Sequence, residues 1–220
     1  LDEDNKDYLF VKKALSELNK DEMQWLRISD YNTTGLWGSS TDSHKCPYFS
    51  FIHGAGLNSK QDDNSGGSKG TGKNAIFANS ILQTMFVSSY TKDNELAFIG
   101  VGFLVSKEEH GEIDDWTHGV GYCVTEENAR KNSPINEIIN IDPSFNRIKN
   151  GYGTDIYIPA FILDESWARE VMGHAIMNFM PAFINKKLEV RIVDNDTVEI
   201  INVINKGSLA KYIGLKTSYR

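Results

Sequence analysis

Gly66-Gly67-Ser68-Lys69-Gly70-Thr71-Gly72-Lys73-Asn74-Ala75-Ile76-Phe77 is the stretch on which the reading of this chain turns. It carries four glycines and two lysines, preceded by the polar run Gln61–Ser65 and followed by an apolar, helix-compatible segment. Closely spaced glycines let backbone N–H groups approach an anion, and a helix start placed after them adds the positive end of a dipole. The stretch therefore reads as a phosphate cradle. A plain surface loop has the same composition, so the flanking sequence must decide between the two.

Downstream, residues 73–82 fit a helix, with Ile76, Phe77, Ile81 and Leu82 apolar. Gln83–Tyr90 reads as a strand and Lys92-Asp93-Asn94 as a turn. Leu96–Val105 reads as a strand buried on both faces, with Gly100 and Gly102 marking close packing or a bulge. Lys107–Thr117 is acidic and loop-like, and Gly119–Thr125 is a short strand. Gly153-Thr154 opens another strand with Ile156 and Ile158 on its apolar face. Glu165–Lys187 is the clearest helix: Trp167, Val171, Ala175, Phe179 and Phe183 recur every four residues, and Pro181 is expected to kink or split it. Leu188–Val193 and Thr197–Val203 read as a hairpin.

Upstream, Asn5–Lys20 reads as an amphipathic surface helix with Tyr8, Val11, Leu15 and Leu18 on one face. Gln24–Ser29 alternates like a strand, with Trp25 or Leu26 and Ile28 as core candidates. It runs into Asp30-Tyr31-Asn32-Thr33-Thr34-Gly35. An Asp at the end of a strand, before a small polar turn, either closes an Asx-turn or points a carboxylate into a pocket, where it can accept from an exocyclic amine. Residues 37–65 form a long segment rich in Gly, Ser, Asp and Asn, which reads as a functional lid or an unstructured connection. His44, Cys46 and His53 within it do not have zinc-ligand spacing, and no metal site is expected.

Strands interspersed with helices, and strand pairs joined by short turns, predict an α+β fold: a two-layer sandwich of a mixed, mostly antiparallel sheet covered by helices. At 220 residues the chain is long enough to bury roughly 70% of its unfolded surface, and it is read as a single domain, 1–220. A net charge of −7 disfavours a broad nucleic-acid-binding surface. Two cysteines make no disulfide framework, and no apolar run approaches the length of a membrane span, so a cytoplasmic protein without a membrane partner is expected. The chain opens at Leu1 with neither a signal peptide nor an initiator Met, and reads as a piece of a larger protein.

Two phosphate-binding patterns compete for the glycine stretch. Gly67–Asn74 spells G-x-x-x-x-G-K-N, close to a P-loop, but Asn74 lacks the hydroxyl that a P-loop offers to Mg²⁺. A P-loop also follows a buried parallel strand, which Gln61–Ser65 cannot form. The alternative takes three stretches in order: Asp30 to Gly35, a lid over 36–66 ending in Gly67-x-x-Gly70-x-Gly72, and Gly153-Thr154 at the start of a strand. This order resembles the GHKL ATPases, the superfamily of gyrase B, the heat-shock chaperones, the histidine kinases and MutL, which share the Bergerat-type ATP-binding fold. Gly67–Phe77 looks like the lid-closing glycine motif of the chaperone branch, including the Phe five residues after the last glycine. Asp30–Gly35 looks like the adenine-binding Asp-x-Gly-x-Gly motif, with Asn32 in place of the first glycine and the last glycine one position late.

The resemblance implies an ATP-binding domain of a larger GHKL-type ATPase, with ATP and Mg²⁺ as cofactors. Asp30 would accept from the adenine amine, with Thr154 in the same network and Asn32 and Gly35 shaping the pocket. Gly67, Gly70, Thr71 and Gly72 would give backbone N–H groups to the phosphates, and Lys69 or Lys73 would add positive charge. Lid closure over ATP would change association with a second subunit or a partner protein. The family's first motif, a helix with a Mg²⁺-binding Asn and a general-base Glu, has no match here. Glu17 and Asn19 lie nearby with the wrong spacing. That helix, with the first strand, is expected upstream of Leu1, which leaves the catalytic residue unknown and makes ATP hydrolysis a property of the intact protein. A nucleotide-free scaffold or interaction domain of the same fold is the alternative.

Overall fold

The structure is a computed structural model and describes residues 5–41, 45–53, 72–106, 119–129, 133–137, 147–162, 164–194 and 199–213. By its internal contacts the chain divides into two compact units, Leu1–Ile162 and Leu163–Arg220.

The first unit is built on a five-stranded sheet. Its strands are β1 (Trp25–Ser29), β2 (Thr84–Tyr90), β3 (Leu96–Phe103), β4 (Val120–Cys123) and β5 (Gly153–Pro159), in the spatial order β1-β5-β2-β3-β4. The fold is α+β, as the sequence predicts, and every pairing among the described strands is antiparallel. The parallel part of the expected mixed sheet has no counterpart among them. The β2–β3 turn follows from its residues: Asn94 takes φ +63, and the Thr91 hydroxyl accepts from the Glu95 N–H at 3.1 Å.

Register fixes which residue faces which side. Val87 stands opposite both Ile99 and Ile156, and Ser89 stands opposite both Ala97 and Thr154. Met85, Val87, Ala97, Ile99 and Val101 form one core with Tyr48, Ile52 and Phe77. Tyr48 and Ile52 come from α2 (Pro47–Ile52), and Phe77 comes from α3 (Gly72–Ala78). Thr154 and Ser89 therefore belong to the helix-covered face. The opposite face carries Tyr157, Asp155 and the stacked rings of Trp25, Phe86 and Phe98, with centroids 5.8 and 6.0 Å apart.

Several elements differ from the sequence reading. Helix α3 stops at Ala78, and Ser80 instead makes an isolated bridge to Phe161. Helix α2 lies within the expected lid; Pro47 suits its first turn, and the four-residue spacing of Tyr48 and Ile52 turns both inward. Strand β1 is an edge strand, so Trp25 and Ile28 stay 44% and 48% exposed. Helix α1 (Lys6–Leu18), capped by the Asn5 side chain, buries none of its residues. A short helix α4 (Glu126–Ala129) and a 3-10 turn at Arg147–Asn150 complete the described part of this unit.

The second unit holds α5 (Trp167–Ile184), β6 (Val190–Asp194), β7 (Glu199–Ile204) and α6 (Leu209–Ile213). The expected hairpin is the antiparallel pair β6–β7. Its core joins Met172, Ala175, Ile176 and Phe183 of α5 to Ile192, Ile204, Leu209 and Tyr212. Helix α5 runs through Pro181 as one element, so of the expected kink or split the proline does not make the split. Pro181 sits in the last turn; it gives up its own bond to the preceding turn, while its carbonyl still accepts from the Asn185 N–H at 3.0 Å.

Candidate functional site

The Asp30 turn and the start of β5 meet where β1, β5 and β2 lie side by side. Asp30 follows the last residue of β1, and its N–H donates to the Thr154 carbonyl at 3.0 Å, continuing the ladder. Its carboxylate turns back onto the same strand. Oδ1 accepts from the Thr154 N–H at 2.6 Å and from the Thr33 hydroxyl at 2.9 Å. Among the described residues none donates to Oδ2, and Asp30 is exposed. A carboxylate fixed through one oxygen presents the other in a set direction.

The turn itself is shaped by backbone conformation. Asn32 stands at φ +60, in the left-handed region, where Asn is among the residues most easily accommodated. The departure from glycine at this position thus keeps the turn. Gly35 stands at φ +68, and a Cβ there would meet the Tyr90 carbonyl oxygen at 2.8 Å. Directly after it, the Leu36 N–H donates to the Ser89 hydroxyl at 2.8 Å. Ser89 Oγ lies 3.3 Å from Thr154 Oγ1, and both residues are buried. Thr154 therefore reaches Asp30 through its backbone N–H and reaches Leu36 through its hydroxyl and Ser89.

Gly153 is where the two segments cross. At φ +135, a Cβ on it would overlap the Asp30 carbonyl oxygen, Asp30 Oδ1 and Arg147 Nη2. The Gly-Thr pair thus has a steric reason for its glycine. Arg147, fully buried, fills the other side of the crossing. Its Nη1 donates to Asp155 Oδ1 at 2.6 Å, its Nε to the Gly151 carbonyl at 3.0 Å and its Nη2 to the Tyr152 carbonyl at 3.0 Å. Nη2 also makes a short bond to the Asp30 carbonyl. The Tyr31 ring covers the guanidinium at 4.6 Å. Asp155 is also fully buried, and the Tyr157 hydroxyl donates to its Oδ2 at 3.3 Å. Burial, with the Asp155 carboxylate beside it, pushes the Tyr157 hydroxyl above its ordinary range, so it stays a donor.

A second carboxylate anchors the segment that follows the turn. Glu95 accepts from the Gly38 N–H at 3.0 Å, the Ser39 N–H at 2.6 Å and the Ser39 hydroxyl at 2.5 Å. Burial acts to raise its pKa, but the Ser39 hydroxyl and the backbone N–H groups of Gly38, Ser39 and Ser40 outweigh that and hold it below the usual value.

Of the residues expected from the sequence to meet phosphates, Gly67, Lys69, Gly70 and Thr71 lie outside the described residues. Gly72 opens α3, with nothing within 4 Å of where its Cβ would stand. Lys73 donates from Nζ to the Phe51 carbonyl of α2 at 3.3 Å, and burial lowers its pKa. The site residues predicted from sequence thus fall into groups: Asp30, Asn32, Gly35 and Thr154 come together, whereas Lys73 bonds to α2. Glu17 forms a surface ion pair with Lys20 at 2.6 Å, and Asn19 caps the end of α1. Among the described residues no three His, Cys, Asp or Glu side chains group to hold a metal ion.

Sequence reasoning did not single out Ser89, Glu95 or Arg147. Ser89 and Glu95 lie in or beside an apolar hairpin, where the only local signal is a polar residue in a buried strand. Arg147 lies within a mixed, Pro-interrupted segment. No helix among the described residues is long and apolar enough to cross a membrane. No protein-family model matches the chain, and no curated protein or solved structure matches it.

Proposed function

We propose that this chain is an ATP-binding domain of a GHKL-type ATPase and that Asp30 accepts a hydrogen bond from the adenine amine. The observation that carries the reading is the convergence of Asp30 and Thr154. They lie 124 residues apart, yet are joined by a 2.6 Å bond to Asp30 Oδ1, while Asp30 is an exposed residue whose Oδ2 takes no donor among the described residues. The two outer motifs of the sequence resemblance thus form one polar cluster, on a turn whose Asn32 and Gly35 take left-handed conformations. An exocyclic amine suits Oδ2, because an ionised carboxylate only accepts. The phosphate role of Gly67, Gly70, Thr71 and Gly72, and of Lys69 or Lys73, rests on the sequence pattern. This reading assigns no residue of the chain as Mg²⁺ ligand or general base. In this reading the domain reports nucleotide binding to a second subunit or partner protein in the cytoplasm.

Titration with a non-hydrolysable ATP analogue tests the reading. Saturable binding is expected, and Asp30→Asn should weaken it by roughly 10- to 100-fold, the cost of replacing one charge-assisted acceptor by a side chain that also donates. Absence of binding, both in this chain and in any longer chain that carries it, would overturn the reading. A nucleotide-free interaction domain is the second reading. It is favoured by the fact that Asp30 Oδ1 is already satisfied within the chain. It is distinguished by unchanged Thr154 and Leu36 amide resonances on addition of nucleotide.

A further inference from the structure

We infer that Arg147 is the positioning residue of this site: it sets where the Asp30 carboxylate stands by clamping the Asp30 turn to the start of β5. The inference rests on the nucleotide reading of Asp30. Its structural basis is the set of groups gathered around one guanidinium. Asp155 takes one edge, the Gly151 and Tyr152 carbonyls take two more donors, and Nη2 reaches the Asp30 carbonyl. The Tyr31 ring closes over the face. Both residues flanking the bond between Asp30 and Tyr31 are thus held by a side chain from a different part of the chain.

Stability alone does not explain the arrangement. A buried ion pair often gains nothing over apolar side chains of the same volume, because desolvation cancels the attraction. What an apolar pair could not do is hold three carbonyls and a ring in fixed relation. Arg suits this and Lys does not, since only the planar fork offers several donors in set directions. The Asp155 carboxylate, itself fixed by Tyr157, orients the fork. The fork then fixes the Asp30 backbone, and the Asp30 side chain bonds the Thr154 N–H. Gly153 permits this approach because it has no Cβ to meet Nη2.

Arg147→Lys separates charge from fork, since an ammonium can pair with Asp155 without reaching the Asp30 carbonyl. Amide hydrogen exchange followed by NMR reads the result residue by residue. The Thr154 amide should exchange at least about tenfold faster in the variant, while amides of β2 and β3 keep their wild-type rates. ATP-analogue affinity should fall at least about tenfold, because a misplaced acceptor loses its bond. Equal acceleration throughout the sheet, or an unchanged Thr154 amide, would show a merely structural residue and overturn the inference. A faster Thr154 amide with unchanged affinity would overturn it too. If Arg147→Lys does not fold, Tyr31→Leu removes only the outer cover: selective acceleration at Thr154 supports the clamp, and no change overturns it. Failure of ATP to bind, both to this chain and to any longer chain that carries it, would remove the nucleotide reading, and the Thr154 exchange rates would still decide whether Arg147 places Asp30.

Discussion

Gly153 is the residue at which the site has least room to change. A methyl group there would overlap Asp30 and the Arg147 fork at once, and neither can move without breaking a hydrogen bond. Gly153→Ala is expected to destabilise the first unit by more than about 2 kcal/mol, combining an unfavourable φ with the clash. Urea denaturation followed by tryptophan fluorescence measures this, and a loss under about 0.5 kcal/mol would show that the crossing is loose. At this scale the sequence is informative only in part. Asp30, Gly35, Gly153 and Thr154 were legible because a turn chemistry or a strand start marks each. Arg147 was not, because its partners lie up to 117 residues away and no periodic pattern marks it. Asn32 reads as a departure from a glycine motif, yet its φ of +60 shows that the turn accepts it.

Among the elements, the segment after the Asp30 turn depends on Glu95. Its carboxyl is held below its usual pKa, so the folded state prefers the ionised form. The stabilisation it gives is present above the ordinary value of about 4.5 and is lost as pH falls through the lower folded value. Thermal melts between pH 7 and pH 3 should show a steeper acid loss for the wild type than for Glu95→Gln, with the variant less stable at neutral pH. Parallel curves would show that the Gly38–Ser39 clamp contributes nothing. Helix α5 forms where the sequence predicts it, but the series spaced by four does not coincide with its buried residues. Five apolar residues spaced by four advance about 40° per step around a helix of 3.6 residues per turn, so they cannot share one face. The buried residues are Met172, Ala175, Ile176 and Phe183, of which only Ala175 and Phe183 belong to that series, and Val171 and Phe179 are left 44% and 53% exposed.

For the whole molecule, the α+β class and the strands from β1 to β5 were legible because alternation and buried apolar runs are local signals. The order β1-β5-β2-β3-β4 was not, since it places β5 between strands that precede it by more than 60 residues. That insertion creates the candidate site: β5 brings Thr154 between Asp30 on one side and Ser89 on the other. The site is thus a product of topology, and its residues acquire a shared chemistry only in the folded sheet. The most direct measurement compares ATP with ITP, which lacks the exocyclic amine, by calorimetric titration of the wild type and Asp30→Asn. If Asp30 accepts from that amine, the wild type should prefer ATP by at least about tenfold, and the preference should vanish in the variant. Equal affinity of the wild type for the two nucleotides, or a preference for ATP that survives in Asp30→Asn, would contradict the assignment of Asp30 to adenine.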